Sequence, residues 1–377
     1  MFNPMSSSRA ACDRKFIIVL VLVIVIESFV MVVPTGFFVL HHRSAKFPLC
    51  SMGTCFNFSR CNKDQLLVYS YNDPAPLNPP TYFREFPDSQ LQTSDPEKAC
   101  LFFVYSDTET NENAWWWQKP HLQTLPFWNN GMNHVIITFA DRWSETNPPA
   151  ASIGMASIMS TELHHTAYRG GFDISIPLPR LQQQSPPELA SVKPFQRKYF
   201  ATFKGTRYLS REGAFRSSEA FRGMHSGKDV IVATTCRQET NDKLVRWQPW
   251  KATGCEEDQR VYDSYDFVDL LNSTFAFVPA GRSPASYRFL EVLSAGAIPV
   301  LIADDYVRPF ESLIQWERCL LQFSTHDLHR ILPTLRSLPK EDVVDRQCYC
   351  QQVFANFLQD DSTLFRSVIL SLQQRMT

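Results

Sequence analysis

The chain has 377 residues, of which 44% are hydrophobic and 20% charged, with a formal net charge of −1. This length and apolar content suffice for a large core and for two domains of ordinary size. The near-neutral charge excludes a protein that wraps a polyanion with an entirely basic surface. Aromatic residues make up 13% of the chain. Because aromatic side chains most often pack in the core, this content does not indicate a function.

The first predicted element is a membrane-spanning helix over residues 16–40, which read FIIVLVLVIVIESFVMVVPTGFFVL. At about 1.5 Å per residue, such a helix crosses about 30 Å of hydrocarbon. The run ends in Phe38, Val39 and Leu40, which is a poor cleavage site, so we expect an uncleaved signal anchor. Residues 1–15 are then a cytosolic tail and residues 41–63 a luminal stem.

The orientation of this anchor rests on cysteines and glycosylation sequons, because the basic residues on its two sides nearly balance. Nine of the ten cysteines follow the span, as expected of an oxidising lumen. The acceptor sequons at Asn57 and Asn272 also follow it. We therefore predict a single-pass type II protein of the secretory pathway, with its globular part in the lumen and both asparagines as candidate glycosylation sites.

The cysteine spacing favours disulfides over a metal site. Cys50, Cys55 and Cys61 lack the C-x2-C pairing that is typical of zinc ligands. The pair His164-His165 stands alone, which is more typical of a surface feature than of a ligand set. No metal site is predicted.

Short apolar runs alternate with helical or loop segments after the stem. Strands are predicted at residues 66–71, 99–105, 134–138, 173–176, 199–203, 229–234, 274–278 and 298–302, and helices at 285–295 and 305–314. Continuous β-branched and aromatic runs indicate strands covered on both faces of a parallel sheet. The alternation indicates a doubly wound α/β fold.

A Pro-, Gln- and Ser-rich stretch at residues 178–194 is typical of a linker between two halves. We predict an α/β fold of the GT-B type, with two Rossmann-like domains that face a cleft. Residues 64–195 form the N-terminal acceptor domain, and residues 196–377 form the nucleotide-sugar domain with a returning C-terminal helix. No G-x-G-x-x-G or P-loop string supports a dinucleotide or NTPase site.

The stretch with the most candidate binding residues is 275–305, which reads FAFVPAGRSPASYRFLEVLSAGAIPVLIADD. A buried strand runs into a loop at Gly281, Arg282 and Ser283, and a helix with Arg288 and Glu291 follows. In open α/β sheets, ligands bind at the carboxyl ends of strands. Arginines beside a helix N-terminus suit a diphosphate, and Glu291 could accept hydrogen bonds from a ribose diol. The alternative is that Arg288 and Glu291 form an ordinary i, i+3 ion pair.

The same string resembles the signature of the exostosin family of heparan sulfate glycosyltransferases, of the glycosyltransferase family 47 type. Matching strings cover nearly all of the chain after the anchor, in order: CSMGTCFNFSRC (50–61), TSDPEKACLFFV (93–104), LPFWNNGMNHVIITF (125–139), GFDISIPLP (171–179) and RKYFATFKGTRYL (197–209). The resemblance is closest to members with glucuronosyltransferase activity. The family's second, C-terminal transferase domain has no counterpart in this sequence.

The resemblance implies an inverting transfer of glucuronate from UDP-glucuronate to a terminal N-acetylglucosamine, with no cofactor besides this donor substrate. The nucleotide-sugar site that it implies uses Lys204, Tyr208, Arg216, Tyr262, Tyr265, Arg282, Arg288 and Glu291. Ala280 stands where the family has a further arginine, which weakens the case for catalysis. A direct displacement needs one general base, for which the acidic loop after the second strand offers Asp107 and Glu112. The adjacent run Trp115–Trp117 could form a platform on which sugar rings stack, or it could pack against its own domain.

The resemblance also implies disulfides Cys50–Cys55, Cys61–Cys100 and Cys236–Cys255, and it leaves the pairing of Cys319, Cys348 and Cys350 open. As partners it implies a glycosaminoglycan acceptor chain and a second exostosin-like transferase in a hetero-complex, and no nucleic acid. The chief alternative is a non-catalytic subunit that stabilises and localises a partner polymerase. A related transferase that acts on another glycan is a third interpretation, because a fold alone does not fix the sugar.

Overall fold

The computed structural model describes residues 50–61, 66–71, 89–106, 121–139, 153–178, 185–209, 212–236 and 253–376. Their strands form two sheets, each of five parallel strands. The prediction of an α/β, GT-B-like fold with two parallel sheets is confirmed. The predicted transmembrane helix lies outside the described residues. Within the part of the chain that is described, no helix is long and apolar enough to cross a membrane.

The first sheet has the order β1-β2-β3-β4-β5. Its strands are β1 (Val68–Ser70), β2 (Leu101–Ser106), β3 (His134–Thr138), β4 (Ser157–Ser160) and β5 (Ile174–Ser175). All five residues of β3 are buried. A strand covered on both faces needs apolar side chains at successive positions rather than at alternate ones, which is why its run is continuous.

The second sheet has the order β10-β9-β8-β6-β7. Its strands are β6 (Tyr199–Thr206), β7 (Val230–Thr235), β8 (Ser273–Pro279), β9 (Ile298–Ile302) and β10 (Leu321–Phe323). β8 is central, and all seven of its residues are buried. Because β6 and β8 are neighbours and parallel, their carboxyl ends meet at one edge of the sheet.

The helices of the described ranges lie before, between and after the strands. They are α1 (Met52–Cys55), α2 (His121–Thr124), α3 (Pro187–Ser191), α4 (Glu219–Arg222), α5 (Cys255–Asp263), α6 (Phe267–Leu270), α7 (Arg288–Ser294), α8 (Leu328–Ser337), α9 (Lys340–Val353) and α10 (Asp361–Arg375). A 3-10 helix spans Glu212–Ser217, and α3 lies in the predicted linker between the two sheets.

One hydrophobic cluster joins the two halves. It contains Leu101 and Val135 of the first sheet, Val278 of the second and Val368 of α10. Beside this cluster, Arg375 Nη1 at the end of α10 donates a hydrogen bond to the Phe172 carbonyl at 2.7 Å. The final helix therefore packs back onto residues of the first half.

The helix predicted at residues 305–314 is wrong. This segment forms turns, with left-handed backbone at Asp305 (φ 54°) and Phe310 (φ 49°). Tyr306 pairs with His164 in an antiparallel bridge, and the Val307 amide donates to the Leu163 carbonyl at 2.9 Å. These long-range bonds to the first half outweigh the local helical pattern, which Pro309 also interrupts.

Four disulfides join described cysteines: Cys50–Cys55, Cys61–Cys100, Cys236–Cys255 and Cys319–Cys350. The first three are the pairs that the resemblance implies. Cys61–Cys100 ties the stem to the start of β2, and Cys236–Cys255 ties the end of β7 to the start of α5.

The two sequon asparagines differ in their surroundings. Asn57 is exposed, and its Oδ1 accepts from the Ser59 amide at 2.9 Å. Asn272 is half-buried at the start of β8, where its Oδ1 accepts from the Lys198 amide at 3.4 Å. The residues that follow Asn272 enter a fully buried central strand. Asn57 is therefore the more accessible acceptor in the folded chain.

Candidate active site

A cavity of about 270 Å³ opens at the carboxyl ends of β6 and β8. This edge is where ligands bind in open α/β sheets. The loops after the two strands supply most of the wall, and Leu178, which follows β5 of the first sheet, adds to it. The other lining residues are Phe203, Gly205, Thr206, Tyr208, Arg216, Gly281, Arg282, Ser283, Ala285, Ser286, Tyr287 and Arg288.

Arg216 is the most deeply buried cation of this wall, with 4% of its surface exposed. Its Nη1 donates to the Thr206 carbonyl at 2.8 Å and its Nη2 to the Pro279 carbonyl at 2.5 Å, which fixes the guanidinium at the ends of β6 and β8. Nε is buried and has no hydrogen-bond partner among the described residues. Burial lowers the pKa of Arg216 to about 9. A buried cation held by neutral carbonyls stabilises an anion that enters the cavity.

Arg288 opens α7 and is held from three sides. Its Nη1 pairs with the Glu291 carboxylate, its Nε donates to the Lys204 carbonyl at 2.9 Å, and its guanidinium lies 4.2 Å from the centroid of the Phe267 ring. Burial raises the pKa of Glu291, and the charge of Arg288 opposes that rise. The i, i+3 pair is therefore present, and Arg288 also lines the cavity. The contact of Glu291 with a ribose diol stays a prediction.

Lys204 lies behind this wall rather than in it. Its Nζ donates to the Tyr265 carbonyl and lies 4.2 Å from the centroid of the Tyr262 ring. Burial lowers the pKa of Lys204. Since Arg288 bonds to the Lys204 carbonyl, this cluster holds the guanidinium in place. None of Lys204, Tyr262 and Tyr265 is among the residues that line the cavity in the described part of the chain.

Gly213 brings the loops after β6 and β8 together. A Cβ on Gly213 would lie 2.4 Å from Cδ2 of Tyr208 and 2.5 Å from the Gly281 carbonyl oxygen. No side chain fits at such distances, so the sequence needs glycine at this contact. Gly213 carries no distinctive signal in the sequence, because a glycine in a polar loop is compatible with many turns. The stacking of Phe267 on Arg288 is likewise not predicted, because a lone phenylalanine indicates core packing first.

The site is strongly cationic. Arg216, Arg282 and Arg288 line the cavity, and no Asp or Glu is among the lining residues in the described ranges. Arginine presents planar forks of N–H donors that match phosphate oxygens. The arrangement therefore fits a phosphate-bearing anion such as a nucleotide diphosphate. The described residues contain no group of three or more His, Cys, Asp or Glu side chains that could hold a metal ion.

The structure brings together Tyr208, Arg216, Arg282 and Arg288 at the cavity and places Glu291 and the Lys204 cluster directly behind it. The predicted helix at 285–295 begins only at Arg288, because residues 281–287 form a loop that is closed by hydrogen bonds from the Gly281 amide to the Ser283 and Ala285 carbonyls. The predicted bases Asp107 and Glu112, and Trp115–Trp117, lie outside the described residues.

Comparisons with known proteins identify the family. The Exostosin GT47 domain matches residues 80–338. Exostosin-1 of Drosophila melanogaster is 36% identical over 328 residues, which are 80% of this chain and 42% of that protein. Exostosin-1c of Danio rerio is 33% identical over 308 residues, which are 77% of this chain and 41% of that protein. The chain thus spans less than half the length of these curated relatives.

Among solved structures, MurG of Acinetobacter baumannii matches with a TM-score of 0.35 and 10% identity, over 74% of each chain. The matched residues include the first sheet from β2 onward, the whole second sheet and the arginine-lined cavity. Only β1 lies before them among the described strands. The chain belongs to the exostosin family and carries its GT47 glycosyltransferase domain.

Proposed function

We propose that the chain is a glycosyltransferase subunit of glycosaminoglycan biosynthesis, of the heparan sulfate type, that transfers glucuronate from UDP-glucuronate to a terminal N-acetylglucosamine with inversion. The observation that carries this proposal is the arginine-lined cavity at the carboxyl ends of β6 and β8, inside an exostosin domain. The cavity's cations match the diphosphate of a nucleotide-sugar donor. The choice of glucuronate follows from the resemblance of the sequence motifs to family members with glucuronosyltransferase activity.

The reaction is a direct displacement at the anomeric carbon. The 4-hydroxyl oxygen of the acceptor bonds to that carbon while the bond to the UDP oxygen breaks, and the hydroxyl proton passes to a general base. Asp107 and Glu112 are the proposed bases. Negative charge grows on the leaving diphosphate, so Arg216, Arg282 and Arg288 stabilise the transition state more than the bound donor. With Arg216 and Arg288 held in place by their hydrogen bonds, no metal ion is required for this step.

The test is a binding and transfer assay on the purified full chain. We expect calorimetric titration to show tighter binding of UDP-glucuronate than of UDP-galactose or UDP-N-acetylglucosamine. Transfer is measured with oligosaccharides that end in N-acetylglucosamine or, as a matched control, in glucuronate. We expect a product only from the first acceptor. Absence of binding of all three UDP-sugars would contradict the proposal. Preference for another UDP-sugar would contradict the choice of glucuronate as the transferred sugar.

The alternative of a non-catalytic subunit has one observation in its favour. Ala280, where the resemblance implies a further arginine, is 1% exposed and lies next to the Arg216 anchor at Pro279. The same assay distinguishes the two functions, because a non-catalytic subunit would bind the donor or stabilise its partner without forming a product.

We further propose that the chain works in a hetero-complex with a second exostosin-like transferase. A polymer of two alternating sugars needs two transfer activities, and the described cavity accounts for one donor. Co-purification of the pair should yield polymer from both UDP-sugars, whereas this chain alone should add a single glucuronate. Repeated addition of both sugars by this chain alone would contradict the proposal.

We propose a luminal, type II placement in the endoplasmic reticulum and Golgi membranes, which the four disulfides of the described residues support. It predicts glycans on Asn57 and on Asn272. In cells, wild type, Asn57→Gln, Asn272→Gln and the double variant should differ in electrophoretic mobility until a glycosidase is added. Modification of Asn272 must precede closure of β8, given its half-buried position. Identical mobility of all four proteins would contradict the luminal placement.

A further inference from the structure

A short segment after β9, residues 305–310, belongs to the second half of the chain by sequence but packs on the first half. We call this segment the strap. Within it, Val307 is fully buried and belongs to a hydrophobic cluster whose other described members all lie at residues 69–168. The side chain of Val307 therefore completes a core that the first half otherwise builds from its own residues.

The backbone of Val307 is bonded to the first half as well. Its N–H donates to the Leu163 carbonyl at 2.9 Å, and its carbonyl accepts from Ser175 Oγ at 2.7 Å. Ser175 is the last residue of β5 and is 3% exposed, so the second bond lies in the interior. The Ser175 carbonyl in turn accepts from the Phe310 amide at 2.9 Å. If the two halves moved apart, these buried polar groups would lose their partners, which is costly.

The start of the strap is held by the segment that follows β4. The Asp305 carbonyl accepts from the His165 amide at 3.0 Å, and Asp305 Oδ2 accepts from Thr166 Oγ1 at 2.8 Å. The His164 ring lies between two carboxylates, with Nδ1 3.8 Å from Asp305 Oδ2 and Nε2 3.3 Å from Glu212 Oε1. Its side chain is 14% exposed, so the interpretation of the histidine pair as a surface feature is wrong for His164.

Left-handed backbone bounds the strap on both sides, at Asp305 (φ 54°) and Phe310 (φ 49°). A positive φ is unfavourable for residues other than glycine, above all for a bulky side chain. Such conformations persist only where the surrounding structure fixes them. The bonds to Ser175 and His165 are part of this surrounding structure, so the conformation of the strap depends on its contacts with the first half.

The strap is connected to the donor cavity through the second sheet. It begins shortly after β9, and β9 pairs with β8, whose carboxyl end leads into the cavity loop with Gly281 and Arg282. At the end of this pairing, the Ala280 amide donates to the Ile302 carbonyl at 2.8 Å. The proposed general bases, in contrast, follow β2 of the first sheet. Because the base, the acceptor and the anomeric carbon must be aligned at contact distance, the transfer step depends on how the two halves are placed.

We propose that the strap positions the acceptor side of the chain against the donor cavity, and that Ser175 and Val307 are positioning residues for the transfer step. This inference rests on the proposed function. The arginines that line the cavity all lie on the second half, so a loosened strap leaves donor binding unchanged. It misplaces the base and the acceptor relative to the bound donor. The strap therefore affects the rate of transfer from the bound donor rather than donor affinity.

The experiment measures two quantities on the full chain: the transfer rate at saturating UDP-glucuronate, with an acceptor that ends in N-acetylglucosamine, and the affinity for UDP-glucuronate by calorimetric titration. Ser175→Ala removes the hydroxyl that bonds to the Val307 carbonyl. We expect its transfer rate to fall about 10-fold, because a small misplacement of the reacting groups is costly. Its donor affinity should stay within about 2-fold of wild type.

Ser157→Ala is the matched control. Ser157 is also buried, at 5% exposure, and its Oγ donates to the carbonyl of Phe172, which belongs to the first half like Ser157 itself. The variant therefore loses a comparable bond that does not cross between the halves. Its stability in denaturant unfolding should fall about as much as that of Ser175→Ala, whereas its transfer rate should stay within about 2-fold of wild type.

Val307→Ala provides the second variant, because it shortens the side chain in the core cluster and keeps both backbone bonds. It should show the same loss of transfer rate with unchanged donor affinity. A wild-type transfer rate in either folded variant, a loss of donor affinity that accounts for the slower transfer, or an equal loss of rate in Ser157→Ala would overturn the inference and leave the proposed function intact. Absence of transfer by wild type would overturn both.

Discussion

Arg288→Met is expected to lower the rate of glucuronate transfer about 30- to 1000-fold, which corresponds to about 2–4 kcal/mol of lost transition-state stabilisation. Arg288 lines the cavity, and its guanidinium is fixed by the Lys204 carbonyl, the Glu291 carboxylate and the Phe267 ring. A cation that is held in place before the donor binds needs no reorganisation when charge develops on the diphosphate. Arg288→Lys should recover only part of the rate, because it keeps the charge and loses the planar fork.

The same substitution leaves Glu291 buried, at 3% exposure, without its counter-charge. Burial already raises the pKa of Glu291, and the loss of Arg288 removes the interaction that lowers it. A carboxyl group whose folded-state pKa is raised stabilises the fold below its unfolded pKa, and that contribution is lost as the pH rises through the folded pKa. Arg288→Met should therefore be less stable at pH 8 than at pH 5.5.

The double variant Arg288→Met/Glu291→Gln separates the two roles of Arg288. Glutamine removes the unpaired charge, so the double variant should recover stability in denaturant unfolding and lose its pH dependence. It should not recover donor affinity or transfer. Affinity for UDP-glucuronate equal to wild type in the well-folded double variant would show that Arg288 serves only the ion pair, and the assignment of the donor site would be wrong.

Central strands were the most predictable part of the fold. The predicted strands at 134–138 and 298–302 have the bounds of β3 and β9, because each is buried along its whole length and its apolar run is unbroken. β4 is not predicted, because its serines give no strand signal. They are buried all the same, since Ser157 Oγ donates to the Phe172 carbonyl. A polar residue that finds its partner through tertiary structure carries no sign of burial in the sequence.

The candidate site was predictable where its residues share one strand–loop–helix string. Arg282 and Arg288 lie in such a string after β8. Arg216 lies in a 3-10 helix that follows another strand, and only the family resemblance marks it. The contacts of His164 could not be predicted from the sequence, because Glu212 and Asp305 lie 48 and 141 positions further along the chain. Side chains that meet only through long-range contacts leave no local pattern.

Arg207→Met is expected to lower the free energy of unfolding by about 3–5 kcal/mol, because the buried Asp258 carboxylate then keeps only one of its two arginine partners. Arg207 is 2% exposed, and its Nε donates to Asp258 Oδ2. Its Nη1 donates to Ser217 Oγ at 3.2 Å and its Nη2 to the Thr253 carbonyl at 2.8 Å. One guanidinium thus joins the loop after β6, the end of the 3-10 helix with Arg216, and α5.

Arg222→Met is the matched control for this prediction. Arg222 Nη2 donates to the other oxygen of Asp258 at 2.7 Å, but its side chain is 37% exposed. Because water screens an exposed pair, its removal should cost about 1 kcal/mol or less. Denaturant unfolding with the disulfides intact measures both variants, and equal losses would contradict the burial argument. Arg207→Met/Asp258→Asn should recover part of the stability, since no buried charge is then unpaired. Donor affinity should fall in Arg207→Met and should not recover in the double variant, because Ser217 loses the bond that holds the end of the Arg216 helix in both.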